Sequence, residues 1–229
     1  MTEQEIAAAV ALLVQARRSG KQIEALPVVP SSVAEAHAIQ DHLAALLGET
    51  VGAFKANAPP GKEPTRGLIF ARMIRPSPAR IASSEVPHLG VEGEVAFRFT
   101  RALPARDTPY TRGEVSGAVV ALPAVEVVSA RFRNALTRPP LEQLADCIAN
   151  GALVPGTAMQ DWPNLDMARL RVSLLVNGKP VVEQQGGHPT GDPLGVAVAL
   201  VNMMREAGGV RVGQMVTTGS WTGLRFLKS

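Results

Sequence analysis

Apolar positions in the first part of the chain keep a helical period. Over residues 3–19, Ile6, Val10, Leu13 and Val14 line one side of an Ala-rich segment, and Gly20 closes it. After the loop ALPVVPSS, Ser32 with Glu35 three residues on has the form of a capping box. It predicts a second helix carrying Ala36, Ile39, His42, Leu43 and Leu46 and ending at Gly48. The texture then changes. VGAFKANAPPGKEP is rich in Gly and Pro and ends the helical region. From about residue 90, short β-like runs alternate with turn signals: VEGEVAFRFT, GAVVALPAVEVVSARF, LRVSLLVNGKPVVEQ and GQMVTTGSWTGLRFL. Asn177-Gly178 predicts a hairpin within the third run. One late helix is predicted over Pro193 to Glu206, packing through Leu194, Val198, Leu200, Val201 and Met204. Helices followed by a mostly β body make an α+β chain. We expect a helical segment over 1–50 and one β-rich body over 51–229.

Composition narrows the function classes. The 229 residues are 46% hydrophobic, enough for a sizeable core, and only 19% charged. The net charge of +3 is small, the basic residues are scattered, and aromatics make up 4%, so no nucleic-acid footprint is present. A single cysteine, Cys147, allows no intrachain disulfide and suggests a reducing compartment. It reads as a small buried apolar residue. The apolar run at 6–14 follows Glu3 and Glu5 rather than a basic stretch, and is too short to span a bilayer. A soluble, cytoplasmic protein is expected, with no membrane partner.

The charged residues inside apolar runs carry the candidate chemistry. In GVEGEVAFRF, strand alternation puts Glu92 and Glu94 on one face and Val95, Phe97 and Phe99 on the other. Two such carboxylates either point to solvent or share a cation, because a buried pair without one drives protonation. In ALPAVEVVSARF, Glu126 lies among Val125, Val127 and Val128, where an unpaired charge is costly to bury. It is either an edge-strand residue, a partner of Arg131, or the third oxygen donor of a facial set suited to Mg²⁺ or Mn²⁺.

These segments resemble the 2-keto-4-pentenoate hydratase and 4-oxalocrotonate decarboxylase branch of the fumarylacetoacetate hydrolase superfamily. The matching stretches run from about residue 37 to the end: GVEGEVAF, LPAVEVVSARF, NGKPVVEQQGGHP with its helix, and GQMVTTGSWTG. The resemblance implies a mixed β-roll body of the fumarylacetoacetase C-terminal-like type behind N-terminal helices, in a homo-oligomer. It places Mg²⁺ or Mn²⁺ on Glu92, Glu94 and Glu126. It also implies a functional lysine, here Lys55 in VGAFKANAPP. There the amine would neutralise a carboxylate or enolate and, with a pKa lowered by metal and burial, move protons. Taken alone, Lys55 reads as a surface lysine in a Pro-rich loop.

The chain departs from the family pattern in three places. Where the family shows Pro-Asp-x-Gly, Pro64-Thr65-Arg66-Gly67 substitutes Thr65 for a proton-shuttling acid. Asp146-Cys147-Ile148-Ala149-Asn150 lacks an active-site-type serine. The chain also stops at LRFLKS, where family members add a hairpin, which suggests a shortened body. His88 and His188 read as structural, and Asp146 as a residue that orients backbone. Thr218 and Ser220 in TTGSWTG, with Lys55 and Arg66, are candidate substrate contacts, and Lys55 and Thr65 the candidate catalytic residues. The expected activity is a metal-dependent lyase of aromatic catabolism that hydrates a 2-hydroxy-2,4-dienoate to a 4-hydroxy-2-oxo acid. Decarboxylation of a 2-oxo-3-enedioate, acylpyruvate hydrolysis, and a catalytically weakened partner subunit are the alternatives.

Overall fold

The structure is a computed structural model that describes residues 1–228. Helix α1 (Glu3–Ser19) starts at Thr2, whose side chain accepts from the Glu5 amide while the Glu5 carboxylate accepts from the Thr2 amide. It ends at Gly20 in the left-handed conformation. Helix α2 (Val33–Leu47) is capped by Ser32 and closed by Gly48, as expected. The capping box is only half made, because the Glu35 carboxylate turns to the Ser31 amide and hydroxyl instead. Ile39 and Leu43 are buried, whereas His42 and Leu46 face out. Gln40 takes the inward position and stitches the helix down: its amide donates to the Arg66 and Leu144 carbonyls and its oxygen accepts from the Leu68 amide.

Two strands precede the expected β region: β1 (Val51–Asn57) and β2 (Thr65–Phe70). VGAFKAN has one large apolar residue among small ones, so its strand signal was weak. Next come β3 (Gly90–Phe99), β4 (Leu103–Pro104), the short helix α3 (Arg112–Ser116) and β5 (Val119–Val128). Helix α4 (Pro140–Ala145), β6 (Asn150–Pro155), the hairpin β7 (Arg171–Val176) and β8 (Lys179–Gln185), α5 (Pro193–Met204), β9 (Gly209–Val210), β10 (Met215–Ser220) and β11 (Arg225–Phe226) complete the chain. The hairpin turns on Asn177 and Gly178, both at positive φ, as predicted.

The main sheet runs β2-β1-β10-β3-β5-β6, with β11 added to β3. The β1–β10 pair is parallel and its neighbours are antiparallel, so the sheet is mixed. It curls until Ile74, just past β2, bridges Leu153 on β6. Its two faces have different company. Phe54, Phe70, Val95, Phe97, Phe99 and Val216 join one large apolar core with α1, α2 and α5 residues such as Leu13, Ile39 and Leu200. The concave face holds a smaller set, three of them alanines: Ala53, Ile69, Ala96, Leu122, Ala124, Leu153 and Met215. Small residues inside a curled sheet leave room for polar groups at one end.

Candidate metal centre

The room at the end of the concave face is filled by Glu92, Glu94 and Glu126. Strand register explains why they meet. Glu92 on β3 stands directly opposite Glu126 on β5, and Glu94 lies two residues along on the same face. One carboxylate oxygen from each lies within 4.8 Å of the other two. Glu126 is fully buried, Glu94 is 7% exposed, and Glu92 is half-buried. Gly93 between the two glutamates is required by packing: a Cβ there would meet Thr222 Cγ2 at 2.9 Å. The solvated-face alternative is thereby excluded for this segment, and Val95, Phe97 and Phe99 enter the core as expected.

Lys55 reaches the trio from β1. Its Nζ lies 2.7 Å from Glu126 Oε1 and donates to the Ile148 carbonyl at 2.8 Å. Asn150 Nδ2 donates to the same Glu126 oxygen at 3.2 Å. Glu126 therefore pairs with Lys55, not with Arg131, which binds Asp146 instead. The second Glu126 oxygen is buried without a hydrogen-bond partner. Glu94 Oε2 accepts from the Gly219 amide at 3.1 Å. A register shift in β10 between Thr217 and Ser220, with Gly219 at φ 119°, turns that amide inward.

The electrostatics are those of too many carboxylates for one cation. Burial, the Glu126 charge and Glu92 push the Glu94 carboxyl up to about 8, against the opposing pull of Lys55 and the Gly219 amide. Burial and Glu126 raise Glu92 as well, with Lys55 opposing. For Lys55 the sequence expectation was a lowered pKa. Burial does push it down, but the charge and hydrogen bond of Glu126, with Glu92 and Glu94 behind, outweigh burial and hold it raised. Three hard oxygen donors, one buried oxygen with no partner and a deficit of positive charge fit a divalent cation.

The remaining candidates divide. Alternation along β2 puts Thr65 on the Lys55 face, two residues from Gly67, which pairs with Lys55. Ser220 stands opposite Glu94, and its hydroxyl is buried without a partner. Arg66 points to the other face, where it grips Asp41 of α2 with two bonds of 2.8 and 2.7 Å. The Thr218 hydroxyl is bound to the Val95 carbonyl at 3.1 Å. Neither Arg66 nor Thr218 presents its polar group to the trio. His188 donates Nε2–H to the Thr218 carbonyl at 2.7 Å and packs on Trp221, and His88 bonds Gln22. Both histidines lie outside the carboxylate cluster among the described residues.

Sequence reasoning missed Asn150 and the Ile148 carbonyl. They come from a turn in which Cys147, Ile148 and Ala149 have φ of 57, 54 and 55°. Left-handed conformation in such side chains costs about 1–2 kcal/mol each and leaves no mark in the sequence. Gly67 is the one readable sign: a Cβ there would lie 2.8 Å from the Cys147 carbonyl oxygen.

A mixed curled sheet with a buried three-carboxylate cluster and one paired lysine thus defines the class. No family model matches the chain. It is 29% identical over 161 residues to the TodF product hydratase of Pseudomonas putida F1, covering 69% of this chain and 59% of that protein. It is 26% identical over 168 residues to 2-keto-4-pentenoate hydratase 1 of Dechloromonas aromatica, covering 73% and 63%. The chain therefore spans about 60% of the length of these curated relatives. Among solved structures, 4-oxalocrotonate decarboxylase from Pseudomonas putida G7, complexed with calcium and acetate, matches with a TM-score of 0.82 at 20% identity, over 100% of this chain and 91% of that one. The same decarboxylase complexed with magnesium and adipate gives 0.81. The resemblance to the hydratase and decarboxylase branch is borne out.

Proposed function

We propose that the chain is a divalent-metal-dependent lyase acting on a small 2-oxo acid, with hydration of a 2-hydroxy-2,4-dienoate as its reaction. The observation that carries this reading is the partnerless Glu126 oxygen inside a cluster of three carboxylates, beside a lysine. The names of the curated relatives and the calcium and magnesium complexes of the decarboxylase support it. Glu92, Glu94 and Glu126 would hold Mg²⁺ or Mn²⁺. When bound, such an ion supplies Lewis-acid stabilisation of the enolate of a 2-oxo acid. The body is read as the fumarylacetoacetase C-terminal-like β-roll, in a homo-oligomer.

The chain's own residues have separable tasks. In the hydration, the 2-hydroxyl proton leaves, C5 is protonated, and the C3–C4 double bond results. Water then adds its hydroxyl at C4 and a proton at C3. Lys55 is the proton-bearing group at the trio and the cation that meets the substrate carboxylate or enolate oxygen. The free Ser220 hydroxyl offers the substrate a hydrogen bond. Thr65, on the Lys55 face, orients water, since a threonine hydroxyl is no base near neutral pH. Arg66 and Thr218 serve the frame.

The test is to incubate the purified chain with Mg²⁺ or Mn²⁺ and 2-hydroxypenta-2,4-dienoate and follow the loss of diene absorbance. A parallel sample with a 2-oxo-3-enedioate is followed for CO₂ release. Diene loss supports the hydratase, and CO₂ release without it moves the assignment to a decarboxylase. No turnover with metal bound overturns the enzyme reading for these substrates and favours a weakened partner subunit.

A further inference from the structure

The turn that holds Lys55 and Glu126 is itself held at both ends by one side chain. Arg131 follows β5, five residues beyond Glu126. Its guanidinium donates to Asp146 Oδ1 at 2.6 Å, to the Asp146 carbonyl at 3.0 Å and to the Asn150 carbonyl at 2.8 Å, and its backbone amide donates to Asp146 Oδ2 at 2.8 Å. Asp146 is fully buried and also accepts from Arg17 Nη2 at 3.2 Å. Between the two ends run the three left-handed residues, from whose centre the Ile148 carbonyl meets Lys55. Asn150, at the far end, meets Glu126. An unfavourable turn persists only where its surroundings fix it. Here the fixing group is a planar fork that reaches both ends at once, which a lysine ammonium cannot do.

We propose that Arg131 is a positioning residue that, with Asp146, spans the 146–150 turn and thereby sets the Ile148 carbonyl and the Asn150 amide that orient Lys55 and Glu126. Neither residue touches the trio, so the action is indirect. The proposal rests on the proposed function only for its turnover measurement.

The test compares the full chain with Arg131→Lys, Asp146→Asn, Lys55→Met and the Arg131→Lys/Lys55→Met double variant. Two measurements need no turnover: backbone hydrogen exchange over 146–150, and acetylation of the Lys55 amine followed by mass spectrometry. Arg131→Lys is expected to fold and to keep its Mn²⁺-dependent rise in Tm. Exchange in the turn and labelling of Lys55 should each quicken by about fivefold or more. With the dienoate, kcat should fall by about 100-fold with KM little changed, the cost of a small misplacement. In the Lys55→Met background, Arg131→Lys should cost clearly less than in the parent, because the part of its effect that runs through the Lys55 amine is already gone. Should Arg131→Lys fail to fold, Asp146→Asn carries the same expectations. Unchanged exchange and labelling, or an equal loss of kcat with Lys55 already removed, overturns the proposal. If the parent chain turns over neither substrate, the functional reading falls, and exchange and labelling alone decide the role of Arg131.

Discussion

Metal affinity should rise steeply with pH, and Glu94 sets the slope. Burial and its neighbour Glu126 hold this carboxyl at about 8, against an ordinary value of 4.5. A divalent cation binds the ionised form, so a proton must leave first. At about pH 6 that removal costs about 3 kcal/mol, from two pH units at about 1.4 kcal/mol each. The expected result is a Kd for Mn²⁺ about 50-fold weaker at about pH 6 than at about pH 8, where the carboxyl is half ionised, flattening above. The metal-free protein should show the opposite trend. A folded-state value raised above the unfolded one gives stability that is fully present below about 4.5 and lost as pH climbs through about 8. Tm without metal should therefore fall over that window, while the Tm gain on adding Mn²⁺ grows. Titration calorimetry at three pH values measures the first trend and thermal melts at the same pH values the second, with Glu94→Gln alongside in each. A flat Kd across the window, or an undiminished slope in Glu94→Gln, refutes the reasoning.

Three further outcomes follow from the same geometry. Lys55→Met removes the cation 2.7 Å from Glu126. It should lower turnover by roughly 10²- to 10⁴-fold while Mn²⁺ still raises Tm, and loss of the metal response would place the lysine's role in binding instead. Ser220→Ala deletes a buried hydroxyl that has no partner in the fold. Stability should stay within about 0.5 kcal/mol by chemical denaturation. KM should rise by about tenfold or more, as for a lost hydrogen bond to a charged group, and an unchanged KM would remove Ser220 from the site. Gly67→Ala drives a Cβ against the Cys147 carbonyl at 2.8 Å. It should cost about 1–3 kcal/mol in denaturant melts, and a neutral result would show that the turn can shift away from β2.

The parts that could be read from the sequence are those where a local rule and the tertiary structure agree. Gly20, Ser32 and Gly48 bound the first two helices because capping is a matter of a few adjacent residues. Glu92, Glu94 and Glu126 were legible because charge inside an apolar strand has few explanations. What escaped were β1, β2 and β6, and with them the face of each side chain. Without β2, Arg66 could be imagined beside the substrate, although alternation puts it with Leu68 against α2. The face of Thr218 was hidden in a similar way: its hydroxyl donates to the Val95 carbonyl across the sheet. The 146–150 turn was least readable. Its conformation contradicts the propensities of Cys147, Ile148 and Ala149 and is held by Arg131 and Gly67 from elsewhere in the chain, with Asp146 at the turn's own start.

The two faces of the curled sheet explain why chemistry collects where it does. The outer face carries the phenylalanines and takes the helices, so it supplies most of the apolar burial. The inner face carries a smaller buried cluster, in which Ala53, Ala96 and Ala124 lie among Ile69, Leu122, Leu153 and Met215. Lys55 follows Ala53 by two residues, Glu94 precedes Ala96 by two, and Glu126 follows Ala124 by two. Each charge therefore continues an alanine row on its own strand toward the same end. The position of the site is thus fixed by the same period-two pattern that builds the core, with small residues marking the path and charges its end.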